Sequence, residues 1–81
     1  MQIAVHCYGT TRLHTGSDTL MLSLPEPATV ADALAALASR SEAFAALLKQ
    51  CAVAIGDELV RRTHPLKPGD ELALLPPVAG G

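Results

Sequence analysis

Apolar and polar residues alternate along Gln2–Tyr8, with Ile3, Val5 and Cys7 on one side and Gln2, Ala4, His6 and Tyr8 on the other. A period of two puts successive side chains on opposite faces, so this segment predicts a strand with one face in a core. Thr19–Leu24 repeats the pattern and aligns Leu20, Leu22 and Leu24. Between the two lies the polar stretch Gly9–Gly16, containing Thr10, Thr11, Arg12 and His14. It predicts a loop that joins the strands as a loose hairpin.

Pro25-Glu26-Pro27 ends the second strand, because proline has no N–H to give to a ladder. The period then changes to that of a helix. Thr29 followed by Asp32 forms a capping box with Asp in place of Glu. Val30, Ala33, Leu34, Leu37 and Ala38 supply the apolar stripe behind it. Ser39-Arg40-Ser41 interrupts the stripe, and Phe44, Leu47, Leu48 and Cys51 predict a further turn or two of helix. Ala52–Ile55 and Glu58–Arg61 flank Gly56-Asp57, a two-residue connection suited to a hairpin because Gly accepts the positive φ of primed turns. Thr63-His64-Pro65-Leu66 and Lys67-Pro68-Gly69-Asp70 read as turns. Glu71–Leu75 is the last strand, with Leu72 and Leu74 inward and Glu71, Ala73 and Leu75 outward.

Two strands, a helix and three strands make an α+β arrangement, a mixed five-stranded sheet with one main helix packed on one face. The first and last strands are the most apolar, which suits the parallel central pair of a β-grasp (ubiquitin-like) fold. Residues 1–75 are expected to form this domain and residues 76–81 a flexible tail.

Composition narrows the chemistry. Of 81 residues, 49% are hydrophobic and 17% charged, as in a globular chain, and the aromatics are Tyr8 and Phe44 alone, so the core is aliphatic. A net charge of −2 with scattered basic residues argues against a nucleic-acid partner. No apolar run approaches the length of a membrane span, and the first residues carry no positively charged leader, so a cytoplasmic location is expected. Cys7 and Cys51 lack metal-ligand spacing and fall on the predicted apolar faces, where free cysteines behave as small hydrophobes. His6, His14 and His64 share no spacing and have no adjacent nucleophile; His64, before Pro65, is expected to serve a turn. Asp70 and Glu71 do not make a carboxylate pair, since adjacent strand residues point to opposite faces.

The most informative segment is Pro76-Pro77-Val78-Ala79-Gly80-Gly81. Two prolines stiffen the start of the tail, and side chains then dwindle to none. Six residues extend roughly 20 Å at about 3.3 Å each, which makes a thin probe with a carboxylate at its tip. Such a carboxylate enters a narrow pocket but needs activation before it can act as an acyl donor. No G-x-x-x-x-G-K-[ST] loop is present to hold ATP for that purpose.

The string His64-Pro65-Leu66, Lys67-Pro68-Gly69-Asp70-Glu71-Leu72-Ala73 and Leu74-Leu75-Pro76-Pro77-Val78-Ala79-Gly80-Gly81 resembles the C-terminal signature of the molybdopterin synthase small subunits. The resemblance extends over the whole chain, including Arg12 and the helix start Thr29-Val30. It implies a ubiquitin-like sulfur carrier with no bound cofactor or metal, and with the active site on the large synthase subunit. Gly81 would be adenylated by an E1-like enzyme that uses ATP, then converted to a thiocarboxylate with sulfur from a donor protein. The large subunit, expected in a heterotetramer, would use that sulfur to turn cyclic pyranopterin monophosphate into molybdopterin. Gly80 would give the narrow approach, while Leu75, Pro76, Pro77, Val78 and Ala79 would guide the tail and meet the partner. Three positions depart from the family pattern: Leu13 where Glu commonly follows the loop arginine, Gly56 for Asn in the hairpin turn, and Leu75 where Phe is frequent. The first puts a loop salt bridge in doubt, and the last leaves a smaller anchor. A thiamine-type sulfur carrier and an isopeptide-forming protein modifier share the Gly-Gly ending and stand as alternatives.

Overall fold

In the computed structural model, residues 1–77 are described. The chain runs β1 (Gln2–Cys7), α1 (Thr11–Thr15), β2 (Thr19–Ser23), α2 (Val30–Ala38), α3 (Glu42–Leu48), β3 (Ala52–Ile55), β4 (Glu58–Val60) and β5 (Glu71–Leu75). The five strands form one mixed sheet in the order β2-β1-β5-β3-β4. β1 and β5 pair in parallel at its centre, with Val5 beside Leu72 and Cys7 beside Leu74. The other ladders are antiparallel. This is the β-grasp topology, with β1 and β5 at the centre, each fully buried on the face that meets the helices.

One face of the sheet carries Ile3, Val5, Cys7, Val53, Leu72 and Leu74, all buried against Val30, Leu34 and Leu37 of α2 and Phe44 and Leu48 of α3. The capping box at Thr29 is formed: Asp32 N–H donates to the Thr29 hydroxyl, and Thr29 N–H donates to the Asp32 carboxylate at 2.8 Å. Two further N–H groups of the first turn find carbonyls in the segment after β4. Val30 N–H donates to His64 O at 3.0 Å and Ala31 N–H to Arg62 O at 2.8 Å. These bonds satisfy donors that a helix start leaves open and fix α2 to the far side of the sheet. His64 thus serves the turn through its backbone.

Two local features differ from the sequence expectation. The polar stretch after β1 is not all loop, because Thr11–Thr15 winds into the short helix α1. No apolar stripe announces it. It is held by Thr11, fully buried, whose hydroxyl donates to Tyr8 O at 2.5 Å. The main helix, in turn, is two helices. Ser41 is extended at φ −165° and ψ 156°, and its hydroxyl accepts from Phe44 N–H at 3.0 Å, so a new helix starts there. Arg62 closes the far end of α3, its guanidinium donating to Leu48 O at 2.8 Å and Cys51 O at 3.2 Å.

Candidate functional site

The strand registers define what the face turned away from the helices contains. His6 lies beside Thr19 and Ala73, Ala73 beside Ala54, and Ala54 beside Leu59, which makes one row across all five strands. One step further along β5, Leu75 lies opposite Ala52. Tyr8 continues the alternation of β1 past the Cys7–Leu74 pair. The small residues Ala52, Ala54 and Ala73 leave this part of the sheet low, and large apolar side chains stand around it. Leu59 is 71% exposed and Tyr8 52% exposed, while Leu75 is half-buried. Exposed apolar groups gathered in this way mark interaction surfaces more often than isolated ones do.

Polar groups border the patch on the β1–β2 side. The His6 imidazole reaches Glu71 Oε1 through Nε2 at 2.7 Å and the Thr19 hydroxyl through Nδ1 at 3.2 Å. Glu71 is largely exposed, so the pair contributes orientation more than stability. Arg12 forms an ion pair with Asp18, so the loop arginine has an acidic partner although residue 13 is leucine.

The tail leaves from the edge of this patch. Leu75 ends β5, Pro76 is half-buried and Pro77 is exposed. Pro76 rests against Gly9, whose φ is +54° and where an added Cβ would stand 3.0 Å from Pro76 Cγ. Of the residues expected to meet the partner, Leu75, Pro76 and Pro77 lie at one end of the central strand pair. Val78, Ala79, Gly80 and Gly81 lie outside the described residues.

The cysteines occupy the core. Cys7 and Cys51 are both buried, and the Cys51 thiol donates to Leu47 O at 3.4 Å. Burial pushes the Cys51 thiol above its ordinary range, with the nearby Arg62 charge partly opposing the rise. A thiol held protonated is a poor nucleophile. His14 stacks flat on Phe44, with ring centroids 5.0 Å apart, so it too packs against the core. Among the described residues, no three His, Cys, Asp or Glu side chains gather in a way that would hold a metal ion.

Sequence matches agree with this geometry. The ThiS family model matches residues 5–81. The chain belongs to the ThiS family. Within it, this chain is 34% identical over 83 residues to the molybdopterin synthase sulfur carrier subunit of Chlamydomonas reinhardtii, covering the whole of both chains. Two solved structures of similar size share the fold. The small archaeal modifier protein 1 of H. volcanii is 27% identical, with a TM-score of 0.84 over 95% of this chain and 98% of that one. In the complex of subunits 1 and 2 of the molybdopterin-converting factor from Helicobacter pylori, the matching chain is 29% identical, with a TM-score of 0.69 over all of both chains.

The sequence singled out Leu75 but not Tyr8 or Leu59. The two-residue Gly56-Asp57 turn sets Leu59 opposite Ala54, but only the pairing of β3 with β5 brings that pair onto the same face as Leu75. That second register joins segments about twenty residues apart, and local alternation does not reveal it.

Proposed function

We propose that this ThiS-family chain carries sulfur as a thiocarboxylate on Gly81 and delivers it to the large subunit of molybdopterin synthase. The observation that carries the reading is the convergence of an open apolar face and the tail exit at Leu75. A partner seated on Tyr8, Leu59 and Leu75 holds the base of a tail whose last two residues have no side chain. The Helicobacter pylori relative, solved with its second subunit, supports such a pairing.

The carboxylate of Gly81 attacks the α-phosphorus of ATP on an E1-like enzyme, releasing pyrophosphate and leaving an acyl adenylate. A hydrosulfide equivalent from a donor protein then displaces AMP and leaves the thiocarboxylate. On the large subunit that sulfur passes to cyclic pyranopterin monophosphate, and hydrolysis returns the Gly81 carboxylate. This chain supplies the acyl group and the docking face, holds no cofactor, and works in the cytoplasm beside its partners, two copies of each subunit forming the synthase.

Intact-mass measurement after incubation with the activating enzyme, ATP and a sulfur donor tests the reading. One oxygen replaced by one sulfur is expected. Gly80→Val is expected to block turnover in a folded protein, since a pocket fitted to backbone has no room for a branched side chain. Deleting Gly81 withdraws the reactive carbon by about 3.8 Å. Reacting atoms must approach within roughly 3–3.5 Å, so transfer is lost even where binding persists.

The likeness to an archaeal protein modifier favours one second reading, in which Gly81 forms an isopeptide bond with a lysine of a target. A protein conjugate in the same mass spectra, in place of the sulfur exchange, would establish it.

A further inference from the structure

We propose that Gly9 is a positioning residue for the tail: its bare backbone is the seat on which the Pro76 ring rests, and the seat sets the direction in which the stalk leaves the sheet. This rests on the carrier reading above and adds a part of the chain that lies outside both the tail and the docking face.

Three observations meet at this point. The parallel register that pairs Ala4 with Glu71 and Cys7 with Leu74 brings Gly9, two residues beyond β1, alongside Pro76. There the ring approaches so closely that a Cβ on Gly9 would stand 3.0 Å from Pro76 Cγ. That is tighter than nine in ten real Cβ contacts, so a side chain at this position obliges its neighbour, the Pro76 ring, to give by a few tenths of an ångström. The φ of +54° at Gly9 likewise suits glycine and bends the chain out of β1.

The corner itself is rigid. Thr11 N–H donates to Tyr8 O at 3.1 Å, Arg12 N–H to Gly9 O at 3.2 Å, and the buried Thr11 hydroxyl to Tyr8 O. Gly9 is therefore held from both sides, and the yielding partner in any clash is Pro76. Proline in turn has a fixed φ, so a shift of its ring is passed on as a change of direction.

A lever makes the shift matter. The prolines set only the mean direction in which the tail sets out; with a reach of at most roughly 16 Å for five residues, a tilt of about 10° at the base shifts the centre of the tip's range by up to roughly 3 Å. Misplacement of a reacting group by about 1 Å can cost a hundredfold in rate.

The test uses Gly9→Asn, because asparagine tolerates the left-handed backbone while still bringing a Cβ against the ring. Pro76→Ala removes the ring from the other side and lies outside the core, so it keeps the test open should the first variant fold poorly. Residual dipolar couplings of the Cα–Hα bonds of Pro76 and Pro77 report the stalk's orientation. In the wild-type protein they are expected to fit the alignment of the sheet, and in each variant to depart from it. For Gly9→Asn the maximal rate of thiocarboxylate formation should fall roughly tenfold or more at an unchanged KM for the carrier, because Tyr8, Leu59 and Leu75 keep their side chains; Pro76→Ala, at a position expected to meet the partner, is read by the couplings alone.

Wild-type couplings that do not fit the sheet would overturn the proposal, as would couplings unchanged by either variant. A raised KM at normal maximal rate would make Gly9 a docking contact and also overturn it. If the wild-type chain itself takes up no sulfur, the carrier reading fails, while the couplings still decide whether the seat orients the stalk.

Discussion

Leu74 and Leu75 are the same residue at consecutive positions, yet one is fully buried beneath the helices and the other stands half-open beside the tail. The same division runs through the whole sheet. On the inner face Ile3, Val5, Val53, Leu72 and Leu74 interlock with α2 and α3. On the outer face three alanines lie low among Tyr8, Leu59 and Leu75. Inner residues are large because a closed layer has to be filled. Outer residues are small in the middle and large at the rim, a relief that offers a partner something to grip. One strand period thus fills a core on one side and leaves, on the other, the face proposed to meet the partner.

The division breaks most visibly when each face is altered in turn. Leu74→Ala leaves a cavity in a filled layer and should cost about 2–5 kcal/mol, read from the urea midpoint. A loss near that found for Leu75→Ala would show that the two faces are equivalent after all. Leu75→Glu or Leu59→Glu should leave the melting temperature nearly unchanged. Either should weaken binding to the large subunit at least about tenfold, or ~1.4 kcal/mol, in a calorimetric titration. A large loss of stability from Leu59→Glu would move that residue into the core.

Smaller effects sharpen the picture. Cys7→Ala and Cys51→Ala should each cost about 1 kcal/mol and leave sulfur loading of Gly81 intact, as judged by intact mass. The smallest effect is a pH dependence. Because burial raises the Cys51 thiol in the folded state, the unfolded chain gives up its proton first as the pH climbs. Its contribution to stability is complete below the ordinary thiol range and is lost as the pH rises through it. Denaturation curves across that range should decline gently, and Cys51→Ala should remove part of the slope.

Much of the inner face was legible in the sequence. Alternation in β1, β2 and β5 and the Thr29–Asp32 cap are local signals, and the helices and strands they announce are present. Helix α1 was not legible, because Thr11 is held there by a contact to the Tyr8 carbonyl and no apolar stripe marks the segment. The break at Ser41 was half legible: the interruption shows in the pattern, while the fresh cap depends on an extended backbone at that residue. On the outer face alternation already placed Tyr8, Ala73 and Leu75, but only Leu75 was singled out to meet a partner. Leu59 and Gly9 acquire meaning from registers that join distant segments, β3 with β5 and the end of β1 with Pro76.

The place of β5 between β1 and β3 has a consequence for how the protein is made on the ribosome. Chains emerge N-terminus first, and contacts between distant segments are slow to form. Before Glu71–Leu75 has emerged, the β1–β2 and β3–β4 hairpins share no ladder, because each joins the sheet only through β5. The row from Ala73 to Leu59 does not yet exist as a surface, and the seat at Gly9 has nothing to hold. The outer face and the seat beneath the stalk therefore come into being together, and only on chains whose synthesis has passed the last strand.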